Sequence, residues 1–241
     1  MRSRRLFLTT STLVLAVATA LAPAATAQTA DKTQESPISV WDQPSGDLVD
    51  GVGAWVYIAP EAAPGPGQGS PAGYEYLLSF AYPGLHVGFL GLSTRPEGRF
   101  AGLVLVSDPA TPAVTVPFDW QTGRFYYLLV YHLGGDAWGG WFYDYSAGSW
   151  TFVGQVVAPP GWGLMAPTTR TLVDLKDPIT APTCAAYPRT DAYFFPPVAY
   201  RGTSFTVASL RLNYVQPGEC PSQTTMEYGW AHYRLGADPS A

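Results

Sequence analysis

Apolar residues in this chain recur every second position in short runs, and turn residues end each run. Tyr74, Tyr76, Leu78 and Phe80 share one face of such a run, with Glu75 and Ser79 opposite. From 204 to 214, Ala208, Leu210, Leu212 and Tyr214 alternate with Ser209, Arg211 and Asn213. A period of two is the mark of a β-strand, because successive side chains point to opposite faces of a sheet. No stretch after residue 27 keeps a 3.6-residue apolar period for three turns, so helices are not expected.

The punctuation fits the same pattern. Pro83-Gly84 turns the chain between the runs ending near Phe80 and starting at Leu85, since Pro fixes φ and Gly accepts φ > 0. Arg95-Pro96-Glu97-Gly98 turns it into Phe100–Val106. The clearest segment runs from Asp119 to Val157. A nearly unbroken apolar run from Arg124 to Leu133 predicts a strand buried on both sides. Gly134-Gly135-Asp136 then leads into 137–145, and Ser146-Ala147-Gly148-Ser149 into 150–157. Three strands with short reversals predict an antiparallel meander. Some ten strands without helices predict an all-β fold, an antiparallel β-sandwich of jelly-roll or concanavalin-like type.

The first 27 residues read differently. Arg2, Arg4 and Arg5 precede an apolar stretch from Leu6 to about Ala22, and Ala25-Thr26-Ala27 offers a small-x-small cleavage site. These are the three parts of a secretory signal. Ser3-Arg4-Arg5-Leu6-Phe7-Leu8 resembles the twin-arginine export signal, which carries folded proteins across a membrane. Thr9, Thr10, Ser11, Thr12 and Pro23 interrupt the apolar run, so no stable membrane span is expected after cleavage. The expected layout is a signal peptide at 1–27, a flexible lead-in at 28–37, one sandwich domain at 38–235 and a tail at 236–241. Within the domain, 159–203 is rich in proline and loops.

Export sets the partner chemistry. Removing three arginines leaves 10 basic residues against 18 acidic ones, a net charge of −8 with His neutral. Only Lys32 and Lys176 are lysines, and no basic stripe exists to neutralise phosphates, which argues against nucleic acid. Charged residues make up 13% of the chain and aromatic ones 14%, a balance suited to neutral ligands. The two cysteines, Cys184 and Cys220, are expected to form a disulfide in an oxidising compartment.

Catalytic motifs are scarce. No Gly-x-Ser-x-Gly elbow surrounds Ser79, Ser149 or Ser204. His86, His132 and His232 lie far apart, no metal-ligand spacing occurs, and no cofactor motif is present. For carboxylate chemistry, Asp136 and Asp144 flank one strand and could meet Glu75 or Glu227 only through the fold. Asp174 and Asp177, three apart, would fall on opposite strand faces. The positive signal is aromatic: Trp138, Trp141, Tyr143 and Trp150 crowd within thirteen residues. Flat rings on a sheet face can stack on sugar rings, and equally they can fill a core.

Pro117-Phe118-Asp119-Trp120-Gln121-Thr122-Gly123-Arg124-Phe125-Tyr126, Trp141-Phe142-Tyr143-Asp144-Tyr145 and Gly148-Ser149-Trp150-Thr151-Phe152-Val153-Gly154 together resemble an uncharacterised family of secreted bacterial domains with a concanavalin-like or jelly-roll sandwich. That resemblance covers about residues 117–157 and implies the fold and an extracellular or cell-envelope location, with no agreed activity. The sequence therefore predicts a secreted sandwich binding a neutral glycan or cell-envelope ligand through Trp138, Trp141, Tyr143 and Trp150. A glycan-active hydrolase or lyase using Asp136, Asp144 or Glu75 is one alternative, and a structural or protein-interaction module is another.

Overall fold

A computed structural model describes residues 33–60, 73–84, 86–95, 97–106, 113–175, 183–184 and 187–236. The expected signal peptide, the start of the expected lead-in, Asp177 and the tail beyond Gly236 lie outside the described residues. Sixteen strands and no helix are present among them. In chain order they are β1 (Ser36–Asp42), β2 (Gly51–Ile58), β3 (Tyr74–Tyr82), β4 (His86–Arg95), β5 (Gly98–Val106), β6 (Val114–Pro117), β7 (Phe125–Gly134) and β8 (Ala137–Asp144). There follow β9 (Ser149–Val157), β10 (Thr168–Leu175), β11 (Thr190–Phe194), β12 (Val198–Arg201), β13 (Ser204–Val207), β14 (Ser209–Gln216), β15 (Gln223–Glu227) and β16 (Trp230–Leu235).

They form two antiparallel sheets. One has seven strands in the order β14-β1-β10-β3-β4-β5-β6. The other has nine, ordered β15-β16-β11-β2-β7-β8-β9 with β12 and β13 attached beside β2. The all-β sandwich expected from the alternation is the observed fold, and the β7-β8-β9 meander has the expected strands and turns.

Alternation decides what is buried. Tyr74, Tyr76, Leu78, Phe80 and Tyr82 of β3 meet Val52, Ala54, Val56 and Ile58 of β2, and Tyr126, Leu128 and Val130 of β7, in one core. Packing two sheet faces against each other removes all these side chains from water at once, which is the main force holding a sandwich together. The polar tips of the large aromatics mostly find partners inside. Trp41 Nε1 donates to Thr171 Oγ1 at 2.9 Å, Trp120 Nε1 to the Ser93 carbonyl at 3.1 Å, and Tyr233 OH to the Thr171 carbonyl at 2.9 Å.

The strands outnumber the ten or so that alternation predicts, and β10, β11 and β12 fall within 159–203, the stretch expected to be rich in loops. Three further expectations differ from the fold. The run 124–133 is not buried on both faces throughout: on the outer one Tyr127 is buried, but Leu129 and Tyr131 remain partly open and Leu133 is exposed. The run 204–214 is two strands, because Ala208 turns inward, its amide bound to the Pro197 carbonyl at 2.8 Å, and passes the chain from one sheet to the other. The end of the expected lead-in is tied down: the Glu35 amide donates to the Cys220 carbonyl at 2.9 Å and β1 starts at Ser36.

Cys184 and Cys220 are joined in a disulfide. It pins the loop-rich stretch to the β14–β15 connection, where Tyr187 packs against Cys220. Replacing both cysteines by Ser is expected to lower unfolding free energy by roughly 3–4 kcal/mol on loop entropy. Denaturant unfolding of the oxidised and double-Ser proteins measures the difference, and equal midpoints would show that the bridge holds no unfolded-state loop.

Candidate functional site

The outer face of the seven-stranded sheet is hollowed into a cavity of about 480 Å³. Its floor comes from the side chains that strand alternation turns away from the core. Glu75, Leu77 and Ser79 come from β3, Phe89, Gly91, Ser93 and Arg95 from β4, and Arg170, Leu172 and Asp174 from β10. The middle is low because Gly91 and Gly102 stand opposite each other on β4 and β5. Gly91 lets Leu77 lean across: a Cβ there would sit 2.3 Å from Leu77 Cδ2. A Cβ on Gly102 would fit without strain, in ordinary contact with Thr115 Oγ1 and the Val114 carbonyl, both at 3.5 Å.

Register places chemistry at one end of this hollow. Asp174 of β10 lies directly opposite Glu75 of β3, which in turn lies opposite Ser93 of β4. Side chains opposite each other in an antiparallel pair have Cβ atoms about 4.5–5.5 Å apart, which sets the two acids side by side on the sheet face. Asp174 is held in place: its Oδ1 accepts from Ser36 Oγ at 2.5 Å and from the Leu175 amide at 2.8 Å. Arg95 lines the same end, its guanidinium 4.7 Å above the Phe100 ring. The far end carries Arg170, exposed and opposite Ser79.

The outer face of the nine-stranded sheet is a carpet of rings. Trp55 packs 5.0 Å from Tyr127 and 6.0 Å from Tyr145, Tyr143 lies 5.1 Å from Trp150, and Trp141 lies 5.1 Å from Phe152. Three shallow hollows of about 310, 430 and 400 Å³ adjoin on it. Trp141, Tyr143 and Trp150, singled out by sequence, do stand together here. Trp138 does not. It falls an even number of residues from Gly140 and Phe142, so it points inward with them and is fully buried, which corrects its assignment to a ligand surface.

The three carboxylates nominated from sequence are scattered. Asp136 and Asp144 sit at opposite ends of β8, roughly 27 Å apart at 3.4 Å per residue, and Glu75 is on the other sheet. Asp144 stabilises a turn. Its Oδ1 accepts from the Ser146 and Ala147 amides at 2.8 and 3.1 Å, and Arg124 pairs with its other oxygen at 3.3 Å. Asp174, Arg95 and Arg170 are not among the residues that sequence nominates. The signal that could have found Asp174 is its place at the end of an alternating run, Thr169-Arg170-Thr171-Leu172-Val173-Asp174, facing the same way as Arg170.

At the edge of the aromatic face, His232 is clamped between two acids. Its Nε2 meets Asp191 Oδ1 at 2.5 Å and its Nδ1 meets Glu227 Oε1 at 2.6 Å, while its ring stacks on Tyr193 at 3.9 Å. Burial opposes the imidazolium, but the bonds to Asp191 and Glu227 outweigh it and raise the pKa above the ordinary 6.5. Glu227 is shifted below 4.5, chiefly by its bond to His232. A raised histidine pKa stabilises the fold fully below about 6.5 and loses that contribution as pH rises through the folded value. The lowered Glu227 value contributes above about 4.5 and fades as pH falls through its folded value. The clamp is therefore strongest between the two, and the thermal midpoint should fall from pH 6 to 9 more steeply in the native protein than in His232→Gln. Parallel curves would show that the clamp carries no charge.

No protein-family model matches the chain, and no curated protein matches it by sequence. Solved structures do resemble it. Scytalido-glutamic peptidase with a peptide-based transition-state analogue aligns at a TM-score of 0.57 with 9% identity, covering 85% of this chain and 99% of that one. SCP-B, a member of the eqolisin family of peptidases in a complex with the tripeptide Ala-Ile-His, aligns at 0.53 with 10% identity, covering 85% and 99%. At such identities the likeness is one of fold: this chain is a β-sandwich of the shape found in those peptidases.

Proposed function

We propose that the protein is an exported hydrolase that cuts extended peptides in the hollow of the seven-stranded sheet, with Glu75 and Asp174 as its acid–base pair. The observation that carries this reading is the direct cross-strand opposition of those two carboxyls inside a cavity. Two carboxyls can divide the labour of amide hydrolysis. One takes a proton from water as the water oxygen attacks the carbonyl carbon. The other, protonated, gives its proton to the departing nitrogen, and the products are a carboxylic acid and an amine. Ser93 and Arg95 offer hydrogen-bond donors at the same end for the charge that develops on oxygen. Leu77, Leu172 and Ile38 line the middle. These aliphatic groups suit a peptide side chain better than a sugar ring, which stacks on flat aromatics. The peptide ligands of the structural neighbours support the same substrate class. Export through the twin-arginine route and an extracellular or cell-envelope location accord with the disulfide and with the resemblance over 117–157.

The test is direct. The mature protein is incubated with an unfolded protein substrate from pH 3 to 8, and new termini are read by mass spectrometry. Fragments with a consistent cleavage preference are expected, and none at any pH would refute the reading.

One observation favours a second role. Trp150, Phe152 and Tyr145 are 52%, 52% and 67% exposed, side by side on the opposite face. We infer a surface there for a neutral glycan of the cell envelope, with Trp141, Tyr143 and Trp150 as stacking platforms. Tryptophan fluorescence should change on adding insoluble envelope glycan and should not change in Trp150→Ala. An unresponsive native protein would remove this role.

A further inference from the structure

The hollow has opposite characters at its two ends. Along β10, Arg170, Leu172 and Asp174 occupy successive positions of one strand face, so about 14 Å separates the arginine from the aspartate at two-residue steps of roughly 6.8 Å. Between them lie Leu172 and, opposite it on β3, Leu77. Arg170 is exposed and opposes uncharged groups in its register, Val40 on β1 and Ser79 on β3. Asp42, two steps along β1, is engaged elsewhere: Arg211 lies 3.5 Å from its Oδ1, and Thr168 Oγ1 donates to it at 2.9 Å. A guanidinium at the rim of a ligand cavity, in a chain with a net charge of −5, is suited to binding a carboxylate from outside through paired N–H donors.

We propose that Arg170 is a specificity-determining residue that binds a carboxylate of the substrate, about 14 Å from the bond cleaved at Glu75 and Asp174. This rests on the hydrolase reading for the position of the cleaved bond. In an extended peptide, side chains on one face repeat every two residues, so the span corresponds to about four residues. An aliphatic side chain would lie over Leu172 and Leu77 midway. The carboxylate is either an acidic side chain at the fourth position or the free end of a chain that stops there. Arg170 acts on binding and takes no part in proton transfer.

The experiment uses four peptide libraries, randomised elsewhere, that carry either Glu or Gln at the fourth position from a central bond and end in either a free or an amidated C-terminus. Shortened versions end at the fourth position. The mature protein should cleave Glu over Gln, or in the shortened set free over amidated, with kcat/KM about tenfold higher, the size of a charge-assisted hydrogen bond. The contrast that carries the effect identifies the source of the carboxylate. The ratio should fall to about one in Arg170→Gln, and it should invert in Arg170→Glu. Equal cleavage across both contrasts, or a ratio retained in Arg170→Gln, would overturn the proposal while leaving the hydrolase intact. Binding of the same peptides is measured in parallel by fluorescence polarisation. A carboxylate preference in binding that Arg170→Gln abolishes, without cleavage, would sustain the role of Arg170 and remove the hydrolase. Absence of the preference in both measurements refutes the role.

Discussion

Replacing Glu75 by Gln, or Asp174 by Asn, is expected to slow peptide cleavage by about 10²–10⁴-fold, the range contributed by a positioned acid or base. Each substitution keeps shape and removes only the ability to move a proton. The side-chain amide of Asp174→Asn would still present an oxygen to Ser36 Oγ and the Leu175 amide, which now donate to Asp174 at 2.5 and 2.8 Å. Stability should therefore change little, and denaturant midpoints checked alongside the rates will separate lost chemistry from lost folding. The double variant should lose less than the product of the two single effects, because the base and the acid serve one turnover and the survivor is of little use alone. Effects that multiply in full would mean the two carboxyls act independently of each other. Normal rates in both single variants would place the chemistry elsewhere.

The largest effect on stability is expected from Trp138→Ala, at about 3–5 kcal/mol. The indole is fully buried, 5.3 Å from the Tyr82 ring and 4.8 Å from the His132 ring, and deleting it opens a cavity between the two sheets. Its Nε1 and the Tyr82 hydroxyl find no hydrogen-bond partner among the described residues, so the loss is one of packing and buried area. Trp150→Ala, half-exposed on the aromatic carpet, should cost about 1 kcal/mol by comparison. Urea unfolding of both variants measures the contrast. A mild Trp138→Ala would mean that this strand end opens to solvent.

These two expectations show where sequence is informative. Alternation of side chains is local, so the strands of the β7-β8-β9 meander and the inward set of β3 can be read from a few residues each. The same logic, applied to Trp138, already separates it from Trp141 and Tyr143. The density of tryptophans points the other way, but density says nothing about direction. Strand register between distant segments is not local. Along the chain Asp174 can be compared only with its neighbour Asp177, whereas its partner across the sheet is Glu75, a pairing set by β10 inserting between β1 and β3. Glu75 is recognisable as an acid on a strand, and only the fold gives it company. The His232 clamp has the same origin: Asp191 lies on β11 and Glu227 on β15, brought to one ring by the two neighbours of β16. The split of 204–214 at Ala208 is invisible in sequence because both halves keep the same alternation while belonging to different sheets.

The arrangement also keeps two surfaces apart. Asp144 sits among the rings along the chain, yet by alternation it points opposite to Trp141 and Tyr143. In the fold Asp144 stabilises a turn, and the cross-strand carboxyl pair faces away on the other sheet. The proposed binding through rings and the proposed proton transfer through carboxyls thus lie on separate faces and can be removed one at a time.

The most direct measurement is a crystal structure of the Glu75→Gln protein with an uncleaved peptide bound. The peptide is predicted to lie extended in the hollow of the seven-stranded sheet, with one of its carbonyl groups beside residue 75 and Asp174. A peptide found on the aromatic face instead, with the hollow filled only by solvent, would contradict the account.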